Sequence, residues 1–532
     1  MTKLKNCAII SNNLYFFRRK PMKDYISRLK KGCSKPNLIL WWVLRALMLG
    51  CFLGGFFGEE LNVTRQIHTA LCFVGSFLWE LSLMMPKKSL FRLMPASIHT
   101  AINAGLAVSS VLGVQLELYY ETLFFDPLLQ AYFSFIAVLY GYEIAYAYIK
   151  KEHFAATKAM VYYIAFGISF ICFNAWELGE FFTDQLLGHL TGEPGNAQLW
   201  SVALGEGTAR VKSVIPPLVS ERQPLMDLMC DVVVHTLSSF AALVFINLCP
   251  YRLRGKYKYD CEYGNNLSAG NIVASGRRIS GFFRRLKYNC SGRTYIFWWI
   301  IRLAMVGLFI KSLFDEPFKP VISVEILMNL GIMFVWEVCM LMPKWTVFQY
   351  IQPLMQTAII VVDFIAVITA YLFNFYYEVR LWDSFLHFSC GVGLVFLGYE
   401  FTCALIKKEK KTAAMPMIIL ASAGFSFMCA TLWEIFEFTG DQTIGIVTGE
   451  VASSQFWSYT RLVGTDKMTT IFEYFDIGRY PIMDTMGDIF LNVSGALLGT
   501  AALVIYPYRH KGRFKLDFVV PKEDMINETA EV

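Results

Sequence analysis

This sequence predicts an all-α, polytopic membrane protein: about 12 transmembrane helices in two tandem, parallel six-helix repeats. Three observations carry that expectation. Of the 532 residues, 55% are hydrophobic, 16% aromatic and only 17% charged, with a mean hydropathy of +0.45, which excludes an ordinary soluble enzyme. Apolar runs of about 20 residues, the length a helix needs to span a bilayer, recur along the chain. A shift of 257 positions then brings the two halves into ungapped register. Trp79-Glu80 falls on Trp336-Glu337, Gly141-Tyr142-Glu143 on Gly398-Tyr399-Glu400, Trp176-Glu177 on Trp433-Glu434, and Asp227 with Asp231 on Asp484 with Asp488. A match this long without a gap indicates a duplicated domain.

In chain order, residues 1–37 form a basic segment with no short apolar core before a cleavage site, so no signal peptide is expected. The first repeat, 38–251, holds apolar runs near 38–57, 67–85, 93–114, 128–149, 157–178 and 228–249. A basic connector, 252–294, carries Arg277-Arg278 and Arg284-Arg285 around the aperiodic, flexible stretch Gly264–Gly270. The second repeat, 295–508, has runs near 295–314, 322–342, 352–373, 384–405, 413–433 and 486–506, and 509–532 forms a tail. Lys87-Lys88, Lys150-Lys151, Lys344 and Lys407-Lys408 mark one side, and Glu59-Glu60, Glu117 and Asp315-Glu316 the other. Both termini and the connector are therefore expected in the cytoplasm, with the protein in the cytoplasmic membrane. Six helices is an even number, so the repeats run in the same sense. The net charge of +6 reads as topology, and no nucleic-acid partner is expected. The 13 cysteines are scattered without a Cys-x-x-Cys and read as small buried hydrophobes.

Candidate chemistry gathers at the expected outer side of the second repeat. Asp383 opens the fourth helix with His387 one turn deeper, Glu434 and Glu437 close the fifth, and Asp484, Asp488 and Asn492 share one face of the sixth. Three helices delivering Asp, His and Glu to one level can bind a divalent cation or transfer protons. The bland alternative is capping: carboxylates at helix N-termini satisfy exposed N–H groups, which accounts for Asp383 and Asp484. Asp488 lies deeper, where an unpaired charge costs about 2.5–3.5 kcal/mol. The first repeat has Gln130 where the second has His387, and His235 where it has Asn492, so either it is a decayed copy or its imidazole has moved. A second set, Arg45 with Glu80 and Glu143 and its counterpart Arg302 with Glu337 and Glu400, is expected at the cytoplasmic ends as a structural clamp, with a proton pathway as the alternative. Asp363 is expected near mid-membrane, with Lys311 reaching toward it. No Walker loop, Ser-x-x-Lys pair or His-Glu-x-x-His is present. The long intervals 179–226 and 435–483 carry Trp200, Trp457, Phe472 and Tyr474, a plausible cap over the site.

Asp383-x-x-x-His387-Phe388, Trp433-Glu434-x-x-Glu437 and Asp484-Thr485-x-x-Asp488 resemble the uncharacterised YjdF-like inner-membrane proteins. The run from Arg479 through Asp488-x-x-x-Asn492-x-x-Gly495 to Gly499 resembles the end of VanZ-like proteins, the family named for teicoplanin resistance. The resemblance implies a bacterial cell-envelope protein and brings no reaction with it. The expected function is an externally facing site acting on or binding an envelope lipid or lipid-linked precursor. His387 would be base or ligand, and Asp383, Asp484, Asp488, Glu434 and Glu437 ligands or proton acceptors. Arg479, Asn492 and Asp441 would bind substrate, and a divalent metal would sit on Asp383, His387, Glu437 and Asp488. The rivals are a secondary transporter coupled to H⁺ or Na⁺ through Asp363 and Asp488, and a non-catalytic membrane scaffold. Against the transporter, no paired Gly/Pro-broken helices are visible at matching positions.

Overall fold

The computed structural model describes residues 33–57, 63–85, 94–122, 124–152, 158–191, 223–248, 290–316, 320–342, 353–373, 381–408, 415–448 and 480–509, with 318, 375 and 379 singly. Among these residues every regular element is a helix. The basic segment before 33, most of the connector, the tail and Trp200, Trp457, Phe472 and Tyr474 lie outside the described residues.

Helix α1 (Lys35–Gly54) starts where the Ser34 hydroxyl accepts the Asn37 N–H at 3.4 Å, with Pro36 in the first turn. Its counterpart α8 (Gly292–Leu313) starts where Ser291 accepts the Thr294 N–H at 3.1 Å. The second span is broken in each half. Helices α2 (Val63–Gly75) and α3 (Leu78–Met84) meet at 45°, and α9 (Pro320–Ile332) and α10 (Val335–Leu341) at 43°. The kinks have a common cause: an arginine enters each break. Arg45 donates to the Ser76 carbonyl and lies 2.7 Å from Glu80, over the Phe77 ring at 3.8 Å. Arg302 donates to the Met333 carbonyl and lies 2.7 Å from Glu337, over Phe334 at 4.1 Å. Both guanidinium-bearing residues are buried, and they sit midway along α1 and α8 rather than at the cytoplasmic ends expected from the sequence. Glu143 and Glu400 take no part in these contacts. Next to each clamp, Trp41 and Trp298 donate to Thr100 and Thr357, both at 2.9 Å.

Next in the first half comes α4 (Ala96–Ala107), continued as a π-helix over Val108–Gln115; the matching positions of the second half form α11 (Pro353–Tyr371). Six long helices follow: α5 (Phe125–Glu152), α6 (Lys158–Thr191), α7 (Gln223–Leu248), α12 (Trp382–Lys408), α13 (Met415–Thr448) and α14 (Tyr480–Arg509). These six pack into the centre of the molecule. One apolar cluster joins Phe173, Leu178, Leu228 and Met229 to Phe438, Met486 and Ile489, so the core crosses from one half of the chain to the other. The groups α1–α4 and α8–α11 form flanking clusters, and α4 also joins the central core through Ile98.

At the centre, α6 and α13 cross at two glycines. A Cβ on Gly167 would lie 3.0 Å from the Gly424 Cα, so only glycine lets these backbones touch. Asn174 donates to Thr431 across the same crossing at 2.8 Å, a pair 257 positions apart.

Nine helices among the described residues are long and apolar enough to cross a membrane, or up to 11 if each bent pair is one span; Met355–Tyr371 is apolar but shorter. Their outward faces are apolar: Trp42, Leu47 and Leu303 are exposed on α1 and α8. Such bands belong in hydrocarbon. The chain is a multi-pass helical membrane protein in a lipid bilayer.

Candidate site between the fourth, fifth and sixth helices of the second half

Glycines place the site. A Cβ on Gly391 of α12 would fall 2.2 Å from the Asn492 carbonyl oxygen, and one on Gly495 of α14 would fall 2.0 Å from that of Phe388. These helices therefore meet backbone to backbone, with Gly499 four residues further along the same face. The turns just before the crossing hold His387 on α12 and Asp488 on α14, which are thereby forced opposite each other.

The His387 Nε2 lies 3.5 Å from an Asp488 oxygen and 3.8 Å from an Asp383 oxygen. Asp383, His387 and Asp488 offer ligand atoms within 4.8 Å of one another, and so do Glu434, Glu437 and Asp488. Asp488 is 2% exposed and Glu434 1%, yet Asp488 Oδ1 and Glu434 Oε2 have no hydrogen-bond partner. Thr485 bonds the Glu434 carboxylate. His387 Nδ1 and the Asn492 side-chain oxygen also lack partners. Buried carboxylates crowded in this way repel one another and need a cation or shared protons between them. The donor set of carboxylates with one imidazole suits a hard or borderline divalent ion.

Several sequence expectations change at this point. Glu434 and Glu437 do not close their helix: α13 runs on to Thr448, so both sit within it, one turn apart. Asp484 is not the opening residue of α14 either, since that helix begins at Tyr480; Asp484 is buried in its second turn. Asp383 does stand in the first turn of α12. Asn492 lies one turn deeper than Asp488. Asp441 is on α13 with its side chain outside the described residues, and Arg479 lies outside them. Lys311 does not pair with Asp363: its ammonium lies 2.9 Å from both Asp315 and the Tyr371 hydroxyl. Asp363 is left with a partnerless Oδ2. The sequence reading missed Gly391 and gave Thr485, quoted in its motif, no role. Gly391 was detectable only through its partner, since Gly495-x-x-x-Gly499 in an apolar run signals a helix-crossing face.

The first half arranges the matching positions differently. Gln130 donates to Glu177 at 3.2 Å. His235 is buried between Phe170 and Phe173, with Ser134 2.8 Å from Nδ1 and Ser169 3.2 Å from Nε2. Both imidazole nitrogens are thus engaged with hydroxyls, and His235 serves packing. Among the described residues, no cluster of metal-ligand type forms in this half.

The flank of the site differs too. In the first half α4 packs on α5, where Gly105 lies beneath Tyr132 and Phe133 and the Tyr132 hydroxyl donates to the Ala101 carbonyl at 2.8 Å. The second half has Val362, Ser389 and Cys390 there, Val362 is 43% exposed, and α11 does not pack closely along α12.

Residues 297–509 match the model of a family described as a predicted membrane protein (DUF2238). Neither a curated protein nor a solved structure matches the chain.

Proposed function

We propose that this protein is a bacterial cell-envelope protein whose second half holds a cation-binding, acid–base site for the headgroup of an envelope lipid or lipid-linked precursor. The observation that carries the reading is the pair of ligand-type sets meeting at Asp488, a buried carboxylate with a partnerless oxygen. His387 serves as ligand or base, and Asp383, Glu434, Glu437 and Asp488 as ligands or proton acceptors, with Asp484 beside them. Arg479 and Asp441 stand in the sequence near the mouth of the site. The loosely packed α11–α12 flank, where Val362 and Phe385 are exposed, supports a substrate arriving from the bilayer. We place the site on the external face with both termini cytoplasmic, on the charge pattern of the loops. We read the chain as a tandem duplication on the ungapped register of its two halves, and the family match at 297–509 falls within the second of them.

Metal analysis of the purified protein tests this. A stoichiometric divalent ion is expected in the wild type, reduced in both Asp488→Asn and His387→Ala. In cells lacking the protein, the wild type should restore tolerance to envelope-directed drugs and His387→Ala should not. Equal rescue by both would remove His387 from the function.

A second reading, a secondary transporter, gains support from an observation the sequence did not reveal: broken spans at matching positions, α2/α3 and α9/α10. The partnerless Asp363 would be its coupling group. Ion-dependent uptake in proteoliposomes that fails in Asp363→Asn would favour it. The clamps of Arg45 and Arg302 argue for fixed kinks instead, since each break is filled by a buried ion pair.

A further inference from the structure

We propose that the centre holds two divalent cations rather than one, bridged by Asp488, with Asp383 and His387 on one ion and Glu434 and Glu437 on the other. The inference rests on reading the centre as a cation site and adds its nuclearity. Geometry points to it first. Ligand atoms around one ion, at about 2.0–2.2 Å from it, must lie within roughly 4.4 Å of one another. The five residues do not form one such group among the described residues. They form two sets, Asp383–His387–Asp488 and Glu434–Glu437–Asp488, each with ligand atoms within 4.8 Å of one another, and Asp488 alone belongs to both. A carboxylate has two oxygens, so one residue can serve two ions at once. His387 faces Asp488 through Oδ2, while Oδ1 has no partner.

Two further observations point the same way. Asp488 and Glu434 are 2% and 1% exposed, both belong to these sets, and each has a buried oxygen without a hydrogen-bond partner, a group that calls for a ligand or a proton. Charge favours two ions as well. Asp383, Glu434, Glu437 and Asp488 carry four negative charges when ionised, the buried Asp484 beside them adds a fifth, and His387 is a neutral ligand. One divalent ion leaves the set strongly negative in a low-dielectric place, whereas two offset most of that charge. The donor types, four carboxylates and an imidazole, fit Mn²⁺, Fe²⁺ or Zn²⁺. Paired ions about 3.5–4 Å apart hold two oxygens of a phosphoryl group together. The ligand class for the completed centre is accordingly a phosphate or pyrophosphate ester, here on a lipid anchor.

The test uses the full chain, purified in detergent, stripped with chelator and reloaded with Mn²⁺. Bound manganese per chain is counted by mass spectrometry, and the paramagnetic resonance spectrum is recorded. Two manganese per chain with an exchange-coupled spectrum is the expected result. His387→Ala and the double variant Glu434→Gln/Glu437→Gln should each retain one ion and show an isolated six-line signal, while Asp488→Asn should lose the coupling. One ion per chain in the wild type, uncoupled and abolished by variants of either set, would overturn the two-ion centre and leave the cation site standing. No bound ion, in protein whose thermal unfolding shows it to be folded, would overturn both. The wild-type count and spectrum decide the matter even if a variant fails to fold.

Discussion

Arg302 shows how much one residue can hold in this protein. Its guanidinium is buried between α8 and the break at Met333, paired to Glu337 at 2.7 Å and laid over Phe334. Arg302→Met strands Glu337 as a buried, unpaired charge, and such losses cost about 3–5 kcal/mol. The double variant Arg302→Met/Glu337→Leu removes both charges and should recover most of that loss. Thermal unfolding of the two variants in the same detergent checks the ordering. If the double variant is no more stable than the single, the pair is needed for more than charge balance. Lys311 is the opposite case. It is 55% exposed at its side chain, so its bonds to Asp315 and Tyr371 add little, and Lys311→Ala should unfold with the wild type.

The decisive element contact is the crossing of α12 and α14. Gly495→Ala places a methyl group 2.0 Å from the Phe388 carbonyl oxygen, and backbone cannot yield as a flexible side chain can. The helices must part, and His387 with them from Asp488. The variant is expected to lose bound metal along with stability, since the ligand sets depend on that approach. Gly307→Ala is the matched control: a Cβ there meets nothing within 4 Å, and removing a mid-helix glycine should raise stability by up to about 1 kcal/mol. Metal content and melting temperature of the two variants separate contact from composition. The helices themselves were legible in the sequence, because about 20 apolar residues in a row have few other uses. Their ends were not. Polar residues past Glu437 looked like the start of a loop, yet α13 continues to Thr448. The broken second spans were hidden as well, since no proline marks Ser76 or Met333 and the breaks depend on arginines more than 30 residues away in sequence.

For the whole molecule, the crossing of α6 and α13 joins the two halves. Asn174→Ala removes a buried hydrogen bond worth about 1 kcal/mol, and Thr431→Val removes its other end. The double variant should cost less than the two singles added together, because both act on one contact. Strict additivity would mean that the halves do not feel each other there. The site was partly legible at this scale. Periodicity put Asp484, Asp488 and Asn492 on one helical face, and the repeat singled out His387 by its replacement with Gln130. Which carboxylates converge depends on how three helices cross, and that is settled by glycines whose partners lie about 100 residues away.

The touching of Gly167 and Gly424 has an outcome for heredity. In an assembly of identical subunits, every mutation is made in both partners at once, and residues near the symmetry axis meet their own copies. Here the two positions have separate codons. One half can exchange an imidazole for an amide at Gln130 while the other keeps His387, and the shared seam still closes.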